Sequence, residues 1–181
     1  MFIRTERLFL RPGWPEDWSE LMTRIADESV ARHLSGVPGT AVRDVLKAQH
    51  DPRCPQFLVT LPTSEGSALI GCAGLAPGED GVELAYWIAR ERWGQGYATE
   101  AARAVLSLAR TLRYGRITAA HFADNPASGK VLRKVGFQPS GETRPRFCPA
   151  RGMELPALTY TLTLDEPCDC DDDPASAMRA A

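Results

Sequence analysis

The chain lacks an excess of either charge, a paired set of cysteines with histidines to match, and any long apolar run, and each shortage removes a class of function. Its 21 Lys and Arg against 23 Asp and Glu leave a formal net charge of −2. That gives no global attraction to nucleic acid or to anionic lipid. Of five cysteines, Cys54, Cys72 and Cys148 stand singly, and Cys168 and Cys170 share a short Cys-Asp-Cys near the end. A structural zinc site needs cysteine pairs two to four residues apart, with a second pair or histidines completing the tetrahedron. His33, His50 and His121 lie too far apart in sequence to suggest one, so no metal is expected. The apolar stretches are too short to span a bilayer, and MFIRTERLFLRP carries charges where a secretory signal needs its apolar centre. These shortages point to a cytoplasmic protein with a small-molecule or protein substrate and no nucleic-acid or membrane partner.

What is present suffices for one core. With 44% hydrophobic and 24% charged residues in 181, the chain suits a single domain better than two. Arg7 to Arg11 alternates as a strand does and stops at Pro12. PEDWSELMTRIADE opens with proline and acids and sets Trp18, Leu21, Met22 and Ile25 on one helical face. TAVRDVLKAQH (Thr40 to His50) reads as a shorter amphipathic helix. FLVTL and ALIGCAGL read as a hairpin around PTSEGS. VELAYWIA, Val82 to Ala89, is a strand by its β-branched and aromatic content. A helix follows, with Ala98, Ala102, Val105, Leu106, Ala109 and Leu112 recurring at three and four. RITAAHF is the next strand. ADNPASGKVLRKVGF carries a cap, a proline at the first helical position and a closing Gly136. ALTYTLTL alternates as a half-buried strand. From Asp165 the chain is acidic and small-residued, which predicts a disordered tail over 165–181 after a domain spanning 1–164. Hairpins mixed with strand–helix units predict an α/β (α+β) domain with a mixed sheet.

The informative stretch is WGQGYAT, between the strand VELAYWIA and the long helix. Glycine adopts positive φ and lets a ligand approach the backbone, so a Gly-x-Gly turn entering a helix can offer free N–H groups to an anion. It can also do no more than turn the chain, and the two glycines alone leave both readings open. A Walker A loop is excluded because Tyr97-Ala98, not Lys-Ser/Thr, follows Gly96. A dinucleotide fingerprint is excluded because Thr99 stands where the third glycine belongs. What survives is a turn suited to a diphosphate held by backbone amides. The helix dipole contributes only about 0.3–1 kcal/mol per charge, so direct N–H hydrogen bonds must supply much of the grip.

WGQGYAT resembles the acyl-CoA pyrophosphate loop of the GNAT superfamily of N-acyltransferases, with pattern Gln/Arg-x-x-Gly-x-Gly/Ala. Trp93 stands at its first position, Gly96 at the fourth and Ala98 at the sixth. The usual Gln or Arg is replaced by Trp93, which leaves the backbone donors intact. DNPASGKVLRKVGF is similar to the Asn-x-x-Ser helix and Gly-Phe ending of the branch containing ribosomal-protein N-terminal (RimJ/RimL-type) acetyltransferases. TERLFLRP and ELAYWIARERWGQGYATEA also resemble that branch, and the likeness runs from Thr5 to about Leu164 in the expected order.

The resemblance implies a mostly antiparallel sheet flanked by helices, in which VELAYWIA and RITAAHF form a splayed parallel pair that admits the pantetheine arm. It implies acetyl-CoA as acyl donor cosubstrate and direct transfer to a primary amine, either a small molecule or a protein N-terminus, by a monomer or homodimer. Polyamine or aminoglycoside acceptors, and a CoA-binding sensor without catalysis, are the alternatives. Trp93, Gly94, Gln95, Gly96, Tyr97, Ala98 and Thr99 would hold the diphosphate. Backbone groups at Trp87 and Ile88 would hold the arm, the Ile88 N–H meeting the thioester oxygen; core packing would also account for both residues. Asn125 would bond pantetheine, although it equally suits helix capping, and Lys130 would reach CoA phosphates. Many GNAT enzymes carry a thiolate-protonating tyrosine where Leu132 stands here, which leaves Ser128 as the candidate proton donor. Glu83 is the candidate general base, with Asp124, Glu142 and Glu154 as alternatives. Arg144 to Gly152 (RPRFCPARG) reads as a basic loop before the last strand, where substrate loops lie in this family. At pH 7, deprotonating a lysine of pKa ~10.4 costs about 4.6 kcal/mol and an α-amine near ~8 only about 1.4 kcal/mol.

Overall fold

The computed structural model describes residues 1–35, 52–64 and 66–164. The helix expected over Thr40 to His50 and the tail from Asp165 lie outside the described residues. The sheet has eight strands: β1 (Ile3–Arg4), β2 (Phe9–Arg11), β3 (Gln56–Thr63), β4 (Gly66–Gly78), β5 (Gly81–Ile88), β6 (Arg116–Phe122), β7 (Gln138–Cys148) and β8 (Met153–Thr163). Their order across the sheet is β1-β2-β3-β4-β5-β6-β8-β7. Every neighbouring pair is antiparallel except β5 and β6, which are parallel.

Helices cover both faces. On one, α1 (Trp18–Ile25) buries Leu21 against Leu58, Leu69 and Cys72, with Trp18, Met22, Ile25 and Trp87 around them. That is the face expected from the spacing of its apolar residues. The expected single helix is interrupted, however: Asp27 caps a separate short helix, α2 (Glu28–Ala31), by accepting from Ser29 N–H at 2.8 Å. The other face carries α3 (Tyr97–Thr111), whose Ala101, Ala102, Val105, Leu106 and Ala109 are buried in the main core. Next to it lies α4 (Pro126–Lys134), with Asn125 as cap and Leu132 buried. Apolar burial of this kind contributes roughly 1.5–3 kcal/mol per large side chain.

One expectation fails in detail. RPRFCPARG is not a loop as a whole: Arg144 to Cys148 belong to β7, which pairs with β8 through Cys148 opposite Met153, and only the turn beyond it is irregular. Prolines at 139 and 145 disguise the strand. They are tolerated because β7 is the edge of the sheet, where the missing N–H leaves no ladder bond broken.

Candidate active site

The site begins where the sheet comes apart. β4 and β5 pair from Gly78 opposite Gly81 through to Gly71 opposite Ile88, and β6 pairs with β8 along its whole length. Between β5 and β6 there is one register pair, Glu83 opposite Thr118, with Thr118 Oγ1 donating to the Val82 carbonyl at 3.2 Å. Toward the carboxyl ends of both strands no further pair forms. The opening therefore lies at the end of a parallel pair where open α/β sheets place their ligands. The connections leaving its two sides lead into the N-termini of α3 and α4.

Alternation decides which groups line the opening. Ala89 N–H donates to the Ile70 carbonyl at 2.8 Å, so in an antiparallel ladder Ala89 and Trp87 turn their main chain toward β4, and Tyr86 and Ile88 turn theirs toward β6. The tight fit of Gly71 agrees, since a Cβ there would come within 2.2 Å of the Trp87 carbonyl. Of the two residues expected to hold the arm, the structure brings the main chain of Ile88 to the opening and keeps that of Trp87 on β4. The Ile88 carbonyl accepts from Trp93 Nε1 at 2.6 Å. Trp93 thus fastens the loop to the strand end.

The loop itself is open to a ligand. Gly94 and Gly96 take φ of 73° and 83°, a conformation in which a side chain is strained. Gly96 is the N-cap of α3 and has no side chain with which to cap it. Its carbonyl accepts the first helical bond, from Glu100 N–H at 3.1 Å. The expectation for Trp93 fails at its amide, which donates to the Arg90 carbonyl at 3.1 Å as the turn before the loop closes; among the described residues, the N–H groups of Gly94, Gln95, Gly96, Tyr97, Ala98 and Thr99 have no protein acceptor. Uncapped first-turn amides at the positive end of a helix form an anion site.

Across the opening, Asn125 Oδ1 accepts from Ser128 N–H at 3.3 Å, which leaves its amide nitrogen available to a ligand. Ser128 Oγ lies 2.9 Å from the hydroxyl of Tyr86, which also reaches the Ser128 carbonyl at 3.1 Å. Tyr86 therefore bridges β5 to α4 over the parted strands. Burial pushes its hydroxyl up to about 12. The sequence reading passed over Tyr86, although the strand's alternation with Leu84 and Ile88 already set it on the helical face. Below it, His121 Nε2 lies 3.2 Å from the Tyr160 hydroxyl, and a Cβ on Gly129 would come within 2.6 Å of that same imidazole nitrogen. Glycine is thus what lets α4 sit down on β6. Lys130 is exposed.

The candidate bases behave differently. Glu83 forms a two-pronged ion pair with Arg146, at 2.6 Å for each oxygen, with both side chains largely buried. Asp124 pairs with Arg151 at 2.6 Å, and that hydrogen bond holds its carboxyl below the usual range. Glu142 pairs with Arg144, which also binds Glu79 and Asp80. The three arginines of RPRFCPARG are thus the partners of three of the four carboxylates considered as base. Glu154 is exposed, opposite Phe147. A cavity of about 230 Å³ lies beside the Glu83–Arg146 and Glu142–Arg144 pairs, with Thr118 and Thr159 also in its lining; Asp124, Arg151 and Glu154 are not part of it.

Comparison with known proteins agrees with the fold. Residues 7–138 match the family model described as "Acetyltransferase (GNAT) domain". The chain is 30% identical over 169 residues to the uncharacterized N-acetyltransferase p20 of Bacillus licheniformis, covering 87% of this chain and 93% of that one. It is 39% identical over 151 residues to the uncharacterized N-acetyltransferase YoaA of Bacillus subtilis, covering 78% and 85%. Among solved structures, Mycobacterium smegmatis RimJ in complex with CoA-disulfide shares the fold at a TM-score of 0.71 and 23% identity, over 86% of this chain and 81% of that one. Vibrio cholerae spermidine N-acetyltransferase in complex with CoA and spermine does so at 0.72 and 19%, over 90% and 98%.

Proposed function

This chain belongs to the GNAT family and is an N-acetyltransferase that uses acetyl-CoA, and from that premise we propose that its acceptor is a weakly basic primary amine, a protein N-terminal α-amine being the best fit. The observation that carries the proposal is the pairing of Glu83, Asp124 and Glu142 with Arg146, Arg151 and Arg144. A carboxylate whose oxygens already accept from a guanidinium must leave it to take a proton. Deprotonating a lysine or polyamine at pH 7 would cost about 4.6 kcal/mol, against about 1.4 kcal/mol for an α-amine, and three of the four carboxylates considered as base are held by a guanidinium.

In this reading residues 1–164 are the catalytic domain. The amides of Gly94 to Thr99 hold the diphosphate, the arm enters between β5 and β6, and Asn125 donates to it. The Ile88 N–H faces the thioester oxygen, which gains negative charge as the amine attacks. The carbon–nitrogen bond forms, the carbon–sulfur bond breaks, and the proton lost by the amine balances the one the thiol gains. Ser128 donates a hydrogen bond to the departing sulfur. The Tyr86 hydroxyl, 2.9 Å from Ser128 Oγ, is pushed by burial above its ordinary range and so stays protonated. Its part is to hold Ser128 in place.

A second reading has one observation in its favour. A cavity of about 540 Å³ between α1 and the turn after β5 is lined by Glu16, Glu20, Asp27 and Glu91 against Arg24 and Arg90. Four carboxylates against two guanidiniums suit a polycation such as a polyamine. An acceptor screen at pH 7 separates the two, with release of free thiol from acetyl-CoA as readout. Turnover of peptides with a free α-amine and none of N-terminally blocked, lysine-containing peptides or polyamines supports the first. Preference for polyamines overturns it. Absence of thiol release with every acceptor tried would leave only a CoA-binding role.

A further inference from the structure

We propose that Arg7 is a positioning residue for the acyl donor: it turns the peptide between Gln95 and Gly96 so that the Gly96 N–H points at the diphosphate. The proposal rests on the donor reading given above, and it gives TERLFLRP a role beyond that of an edge strand.

Arg7 lies in the bend between β1 and β2, close in space to a loop almost ninety positions later. Its Nη1 donates to the Gln95 carbonyl at 3.0 Å. In a trans peptide the carbonyl of one residue and the N–H of the next point in opposite directions, and no cis peptide occurs among the described residues. Holding the Gln95 oxygen on the Arg7 side therefore directs the Gly96 N–H away from it, toward the open side of the turn. Gly96 is the residue most in need of such a restraint, because glycine's permissive backbone makes its preceding peptide plane easy to flip.

Arg7 is itself held from several sides. Its Nε donates to Glu100 Oε2 at 2.7 Å, and its Nη2 lies 2.7 Å from the same oxygen. Its main-chain N–H donates to Glu100 Oε1 at 2.9 Å, an oxygen that also accepts from Thr5 Oγ1 at 2.6 Å. The guanidinium carbon stacks 4.6 Å from the centre of the Tyr97 ring, on the first residue of α3. Burial pushes the Glu100 carboxyl up, but the hydrogen bonds from Thr5 and Arg7 outweigh it and hold it below its usual range. The arrangement has a second consequence. A carboxylate in the first turn of α3 favours the helix dipole but stands beside the site meant for a diphosphate, and Arg7 cancels its charge there.

The fork matters as well as the charge. A lysine at this position carries one compact ammonium and cannot serve the Glu100 carboxylate and the Gln95 carbonyl in one fixed plane. Arg7→Met keeps the stem and removes both functions, and Arg7→Lys is the milder partner should the first variant fold poorly.

The experiment compares two acetyl donors with each variant, acetyl-CoA and S-acetylpantetheine, which lacks the diphosphate. The expected result is a rise in the acetyl-CoA KM of about tenfold for Arg7→Met, the size of losing one well-placed hydrogen bond to a charged group. A smaller rise is expected for Arg7→Lys. In both variants kcat should stay near that of the parent and kcat/KM for S-acetylpantetheine should be unchanged. An unchanged acetyl-CoA KM in both folded variants overturns the proposal, as does an equal loss with both donors, which is what a merely structural role would give. If the unaltered protein uses the two donors equally well, the diphosphate reading of the loop itself fails, a result distinct from either of these.

Discussion

The two sides of the split between β5 and β6 are built on opposite principles. On the proposed donor side the groups that matter are the main-chain amides from Gly94 to Thr99, which have no acceptor among the described residues. On the acceptor side the groups that matter are side chains already bonded to one another, Glu83 with Arg146, Asp124 with Arg151 and Glu142 with Arg144. An unsatisfied set of donors calls for a ligand. A satisfied set of ion pairs gives shape and rigidity, and it offers a reaction little unless a pair is broken. On the reading proposed above, the difference means that the donor is fixed by backbone and the acceptor is chosen by fit and by the basicity of the incoming amine.

The comparison can be broken most forcefully at Gly96. Gly96→Pro removes one donor and cannot adopt the φ of 83° found there, so the Kd for CoA should rise by at least the worth of one charged hydrogen bond, about 1.5–3 kcal/mol or roughly ten- to hundredfold. Calorimetric titration reads it, with circular dichroism to verify the fold; unchanged affinity in a folded variant contradicts the loop assignment. On the other side, Arg146→Ala strands Glu83 with little solvent. The thermal transition should report a loss of about 1–3 kcal/mol, between the values for exposed and for buried pairs, while CoA affinity stays as it was.

Smaller effects sharpen the picture. Ser128→Ala should lower kcat by about tenfold with the acetyl-CoA KM unmoved, the loss of a hydrogen bond made to developing charge. Full activity would remove Ser128 from the chemistry. Tyr86→Phe should lower kcat less, since Ser128 keeps its place on α4 and loses only a neutral partner worth about 0.5–1.5 kcal/mol. The least effect concerns Asp124. Its carboxyl is held below the ordinary range by Arg151, so its contribution to stability is present above the pKa of an unfolded aspartate and is lost as pH falls through the lowered folded value. Melting curves of the parent and of Asp124→Asn should therefore converge in acid and separate slightly toward neutrality. Convergence at neutral pH instead would mean the ion pair carries nothing.

How much of this could be read beforehand follows the same division. The turn between β5 and α3 was legible because its signal is contiguous: two glycines, a strand before and an amphipathic helix after. The parting of β5 from β6 came through the family resemblance, and the single pair at Glu83 and Thr118 agrees with it. The acceptor side was illegible because its partners lie far apart in sequence and only the sheet brings them together. Arg146 and Glu83 are 63 positions apart, and Arg151 and Asp124 are 27 apart. The prolines of β7 hid a strand that an edge position permits. Arg7 was visible as part of a motif and invisible as a brace, since nothing local links it to Gln95. Tyr86 was illegible because a hydroxyl that reaches α4 from a strand leaves no local pattern, whereas the position of Leu132 lies on the helix itself.

The most direct test of the account follows the exchange of individual backbone amides in isotope-labelled protein as CoA is added. The account predicts that Gly94, Gln95, Gly96, Tyr97, Ala98 and Thr99 become protected together at saturating CoA and remain unprotected with pantetheine alone. Unchanged exchange at these six amides in the CoA-saturated protein would contradict it.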